Sequence, residues 1–133
     1  MNLGIDLGNT LAKLFLFDGE KIIFQQKLKY SSFESNLDAL IRENSDINAI
    51  IYADVSGMIL KTLEKYSNQI KIIPVNSRMQ LPFVNLYKSG GTLGNDRIVL
   101  VAAASKIYPK SNVLVIDMGT CITYDFIDKK NIY

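Results

Sequence analysis

Twice in this sequence an apolar strand runs into an acidic-glycine turn and leaves it as a second apolar strand. The first copy is Ile5-Asp6-Leu7-Gly8-Asn9-Thr10 and the second is Ile116-Asp117-Met118-Gly119-Thr120-Cys121-Ile122-Thr123-Tyr124-Asp125. Each continues as strand, polar turn, strand, so the chain carries an internal repeat that is faint in sequence and clear in pattern. Two such devices with helical periods between them point to an α/β chain.

Residues 2–6, 11–17 and 21–28 read as strands, the last two joined through Asp18-Gly19, a strong hairpin signal. From Phe33 the period becomes helical, with Phe33, Leu37, Leu40 and Ile41 on one face and Ser31 or Ser32 placed to cap. Residues 49–53 form a short strand. Ser56-Gly57 opens a second helix carrying Ile59, Leu60 and Leu63 towards the core, and 70–75 is a strand with Pro74 near its end. Residues 76–95 have no clean period and contain Pro82 and Gly90-Gly91; a loop of this length in a compact domain is usually functional. A helix follows over 96–107 through Ile98, Val101, Ala102 and Ser105, then strands over 113–118 and 122–127, a turn at 128–131, and the start of another strand at Ile132-Tyr133.

At 133 residues, 48% of them hydrophobic, the chain has material for one packed domain, or one and a piece of a second, and is not disordered. Fifteen basic against thirteen acidic residues leave a net charge of +2, scattered without the stripe that nucleic acid requires. The lone Cys121 cannot pair within the chain and no charged leader precedes the first strand, so a cytoplasmic protein is expected. Apolar runs such as 98–104 fall far short of the ~20 residues that cross a bilayer, so no membrane association is expected. There is no His, which excludes Ser-His-Asp triads, Cys-His proteases and the common zinc sites. Acid-base work falls to carboxylates, Lys or Tyr.

In each acidic-glycine turn an Asp closes the strand, and a Gly after one intervening residue lets main-chain N–H groups and polar side chains (Asn9 and Thr10; Thr120 and Thr123) approach a phosphate. The Asp would then hold a cation or its water shell against the phosphate oxygens. One copy alone reads first as an ordinary hairpin turn; two copies favour phosphate. Lys13 breaks the apolar run 11–17 and serves either a solvated strand face or a phosphate. Leu93-Gly94-Asn95-Asp96-Arg97 opens a helix, where dipole and free N–H groups favour anions. Asp96 is there either an N-terminal helix residue or a general base for a hydroxyl, with Arg97 a clamp for carboxylate or phosphate. Tyr87 is a packing aromatic or a hydrogen-bonding partner for a polar ligand. Cys121 is a small packing residue.

Together the three motifs resemble the type III pantothenate kinases, bacterial enzymes that phosphorylate pantothenate at the start of coenzyme A synthesis. That pattern is Asp-x-Gly-Asn-Thr, then Tyr-x-x-Pro-x-x-Leu-Gly-x-Asp-Arg, then Asp-x-Gly-Thr-Ala-x-Thr-x-Asp, matched in order at 6–10, 87–97 and 117–125. Gly90 stands where the middle motif has Pro, and Cys121 where the third has Ala. The outer motifs are shared more loosely with acetate kinases, sugar kinases, heat-shock chaperones and actin; the middle one separates this family from them.

The resemblance implies an α/β, ribonuclease H-like (actin-like ATPase) domain over 1–110, followed over 111–133 by the first strands of a second such domain. It implies that Asp6, Gly8, Asn9, Thr10, Lys13 and Thr120 contact ATP, with Gly119 and Thr123 supporting the phosphates. Asp6 would hold Mg²⁺, directly or through water, and Asp117 a monovalent cation, potassium or ammonium. Tyr87, Gly94, Asn95, Asp96 and Arg97 would line the pantothenate site, with Asp96 the catalytic base. Family members are longer homodimers in which the partner's second domain completes that site. Strands 113–118 and 122–127 need a cover that these 133 residues do not contain, so the chain alone is expected to be a poor kinase. Another small-molecule kinase of the superfamily, or a non-catalytic nucleotide-binding or assembly protein, are the alternatives.

Overall fold

The computed structural model describes residues 1–55, 57, 59–88 and 93–133. The chain divides into two compact units, Met1–Pro74 and Val75–Tyr133. In the first, β1 (Asn2–Leu7), β2 (Ala12–Asp18) and β3 (Lys21–Leu28) precede α1 (Tyr30–Glu43), β4 (Ala49–Asp54), α2 (Ile59–Glu64) and β5 (Lys71–Pro74). They form one mixed sheet in the order β3-β2-β1-β4-β5. The β1/β2 and β2/β3 pairs are antiparallel, and β1/β4 and β4/β5 are parallel. The sequence dictates this split. The two-residue link Gly19-Glu20, with Gly19 at φ +58°, permits only a hairpin, whereas α1 and α2 are the crossovers a parallel pair needs.

Period-2 alternation aims Leu3, Ile5 and Leu7 of β1 and Ala12, Leu14 and Leu16 of β2 inward, where they meet Phe33, Leu37 and Leu40 of α1 in one core. Two local expectations change. α1 begins at Tyr30 behind Lys29, without a side-chain cap, so Ser31 and Ser32 lie inside the helix; the Ser32 hydroxyl donates back to the Lys29 carbonyl at 3.1 Å. Tyr30 itself is tied down by its hydroxyl, which donates to the Gly8 carbonyl. Leu60 is 55% exposed rather than core, because a six-residue helix buries one edge and Ile59 and Leu63 fill it. That helix starts under Asp54 at the end of β4, whose two carboxylate oxygens accept the Gly57 and Ile59 N–H groups, each at 3.0 Å; the expected opener Ser56 lies outside the described residues.

In the second unit, α3 (Asn95–Ile107) precedes the antiparallel pair β6 (Val113–Met118) and β7 (Ile122–Ile127). Residues 75–88 contain neither helix nor strand, and Val84 makes an isolated parallel bridge to Ile132. α3 buries Ile98, Val101, Ala104 and Ser105, with Ala104 in the place expected of Ala102, which is only half-buried. The registers Val115↔Asp125 and Asp117↔Thr123 put a polar line on one face of the β6/β7 ribbon. The other face carries Leu114↔Phe126, Ile116↔Tyr124 and Met118↔Ile122, all at least half exposed.

Candidate functional site

The first acidic-glycine turn leaves β1 at Asp6 and closes with the Gly8 N–H donating to the Leu11 carbonyl at 3.2 Å. Asp6 and Lys13 are direct register partners across β1 and β2, and the Lys13 ammonium lies 2.8 Å from Asp6 Oδ2. Both side chains are partly exposed, so the pair is a weak latch that solvent or a phosphate can open. Asn9 and Thr10 are exposed at the tip. Gly8 does not sit in the left-handed region, and a Cβ there would meet only the Leu11 carbonyl, at an ordinary 3.6 Å.

The second turn, at the end of β6, closes with the Gly119 N–H on the Cys121 carbonyl at 3.0 Å, leaving Thr120 and Cys121 exposed. A Cβ at Gly119 would meet open space and the backbone there is not left-handed. The fold therefore demands glycine at neither turn, and a side chain at either position would occupy the space beside the backbone. Behind the second, the exposed Asp117 side chain has no hydrogen-bond partner among the described residues. Its register partner Thr123 carries a buried Oγ1 that is likewise unsatisfied. A free carboxylate and an orphaned hydroxyl on facing strand positions, with Cβ atoms about 5 Å apart, are oxygen donors suited to a hard cation. No cluster of three or more His, Cys, Asp or Glu side chains able to hold a metal occurs among the described residues.

At the start of α3, Gly94 precedes the first turn and the Asp96 carboxylate folds back over it, Oδ1 accepting the Arg97 N–H at 2.9 Å. A Cβ on Gly94 would displace the tip of the Asp96 side chain, Oδ1, from this position, while the remaining neighbours are at ordinary contact distance. Asn95 is the first helical residue. Arg97 turns towards β7, where Nε at 2.9 Å and Nη2 at 2.5 Å both donate to Oδ1 of Asp125, and the Tyr133 hydroxyl donates to the same oxygen at 2.5 Å. The Asp125 side chain is wholly buried, and its Oδ2 has no partner among the described residues. The guanidinium carbon lies 5.2 Å from the centre of the Tyr87 ring, which stacks on Tyr133 at 6.1 Å with 6° between planes. The hydrogen bond to Asp125 holds Arg97 still more firmly charged, and burial, then the same carboxylate, raises the Tyr133 hydroxyl above its ordinary 10.0.

Tyr87, Lys88, Arg97, Asp125 and Tyr133 line a concavity of about 650 Å³ within this unit. The structure thus brings Tyr87 and Arg97 together and sets Asp96 and Gly94 at the same helix start. Asp125 and Tyr133 were given no role by sequence reasoning. The signal was present: alternation puts Asp125 on the inward face of β7 between Thr123 and Ile127, and a carboxylate on a buried face has to be paired.

No helix among the described residues is long and apolar enough to cross a membrane. The type III pantothenate kinase family model matches residues 2–133. A protein of Flavobacterium psychrophilum named type III pantothenate kinase is 36% identical over 133 residues, covering 100% of this chain and 55% of the relative. A protein of the same name from Bacteroides fragilis is 39% identical over 138 residues, covering 100% and 54% respectively. The chain therefore spans about half the length of the curated relatives it matches. Among solved structures, a Campylobacter jejuni protein described as a candidate Baf family transcriptional activator superposes with a TM-score of 0.55 at 23% identity, over 96% of this chain and 49% of that one, a likeness of fold.

Proposed function

The chain belongs to the type III pantothenate kinase family, and from that membership we propose that the protein transfers the γ-phosphoryl group of ATP to the primary hydroxyl of pantothenate. The product is 4'-phosphopantothenate, at the first step of coenzyme A biosynthesis. The observation that carries this reading is the meeting of Tyr87 and Arg97 in one concavity, because both belong to the motif that separates this family from its relatives.

Arg97 offers directed N–H groups to the pantothenate carboxylate, and Tyr87 packs beside it. Asp96 engages the helix through Oδ1, which leaves Oδ2 to take the hydroxyl proton as the new O–P bond forms and the bond from the γ-phosphorus to ADP breaks. Gly94 and Asn95 shape the start of α3 around that carboxylate. Asn9, Thr10, Lys13, Thr120 and Thr123 contact the phosphates, with Gly8 and Gly119 keeping the turns clear for them. When bound, Mg²⁺ and potassium or ammonium would neutralise phosphate charge, with Asp6 and Asp117 as the groups that hold them.

The sheet order β3-β2-β1-β4-β5 supports a ribonuclease H-like (actin-like ATPase) domain, and the family reading assigns it 1–110, with 111–133 as the beginning of a second. We read the protein as a cytoplasmic homodimer. ATP consumption by the protein at its natural length, measured with pantothenate against acetate and sugars, tests the reading. Saturable turnover on pantothenate alone is expected; turnover on acetate or a sugar with none on pantothenate would overturn it.

A further inference from the structure

We propose that Asp125 is a positioning residue that acts through Arg97, fixing the guanidinium so that its remaining N–H groups face the substrate carboxylate. Asp125 is fully buried, and three donors converge on one of its oxygens while the other has none. As a stabilising device this is poor: a buried ion pair is commonly matched or bettered by well-packed apolar side chains. What the arrangement does supply is geometry. Asp125, itself held by the Tyr133 hydroxyl, holds the guanidinium from one edge, and the Tyr87 ring, stacked on Tyr133, covers a face. The two bonds to Asp125 engage two of the five guanidinium N–H groups. A cation held in this way loses little freedom when a carboxylate arrives.

The inference rests on the kinase reading, and its test separates the two. Asp125→Asn in the protein at its natural length is expected to raise the KM for pantothenate at least tenfold while kcat falls less than threefold. The KM for the alcohol analogue of pantothenate, in which CH₂OH replaces the carboxylate, should not change. Tyr133→Phe, which removes one of the three donors and leaves the ion pair, should move the same ratio two- to fivefold, and it carries the test if Asp125→Asn does not fold. Equal shifts for pantothenate and its alcohol analogue, or a fall in kcat at constant KM, would overturn the positioning role. Wild-type protein that phosphorylates neither compound would overturn the kinase reading, and the positioning role with it.

Discussion

Gly119 and Gly94 stand in the same unit in different surroundings. A Cβ on Gly94 would turn the Asp96 carboxylate out of its place over the helix start, whereas Gly119 has open space and a backbone any residue can adopt. A glycine that the fold does not need lowers stability, so Gly119→Ala should leave the protein as stable as before, or raise stability by roughly 0.4–1 kcal/mol. If the turn takes phosphate, the same substitution should raise the KM for ATP at least tenfold, and Gly8→Ala should do likewise. Thermal unfolding and ATP kinetics on one preparation check both signs; an unchanged ATP KM would return these turns to ordinary hairpins. Asp96→Asn keeps the shape of the helix start and removes the base, so turnover should fall by ~10²–10⁴ with nucleotide binding retained. Turnover within threefold of the parent would leave Asp96 as a residue of the first helical turn and no more.

Elements with a strong period were legible from sequence and those set by tertiary contacts were not. β6 and β7 occupy the residues expected of them, because alternating apolar runs between turn residues leave little choice of register. α1 starts earlier than its hydrophobic period suggests because Tyr30 is anchored to the Gly8 carbonyl, a contact between residues distant in sequence. The site divides in the same way: Tyr87, Asp96 and Arg97 announce themselves as a motif, while the convergence of Arg97 and Tyr133 on Asp125 appears only when α3 meets β7.

One tertiary link sets a pH dependence. The Tyr66 hydroxyl donates to Asp38 of α1, and Lys65 reaches Asp38 at 2.8 Å and Glu34 at 3.0 Å. Burial first, then the bond to Asp38, pushes Tyr66 from 10.0 up to about 12. Its stabilising contribution is complete below pH 10 and lost as pH rises towards 12, because the unfolded chain gives up that proton first. Hydrogen bonds from Lys65 and then Tyr66 hold Asp38 below its ordinary 3.8, so its contribution is lost as pH falls below that value. Urea midpoints measured against pH should therefore fall at both ends. Tyr66→Phe should flatten the alkaline limb and leave in place the part due to Lys65, which Asp38 raises above 10.5.

At the scale of the molecule, the described chain carries three motifs in two compact units and leaves one face of the β6/β7 ribbon uncovered. Leu114, Met118, Ile122 and Phe126 on that face are 58%, 78%, 56% and 53% exposed. That is the state expected of strands that need a cover, and the relatives this chain matches are nearly twice as long. An enzyme is distinguished from a nucleotide-binding protein by whether product appears in proportion to occupied ATP sites. The direct measurement is the rate of 4'-phosphopantothenate formation by the natural-length protein, followed by phosphorus NMR across a series of ATP concentrations at saturating pantothenate with Mg²⁺ and potassium. A hyperbolic dependence on ATP, with one product phosphorylated on the primary hydroxyl, is the predicted result. Saturable ATP binding without any phosphorylated pantothenate would contradict it.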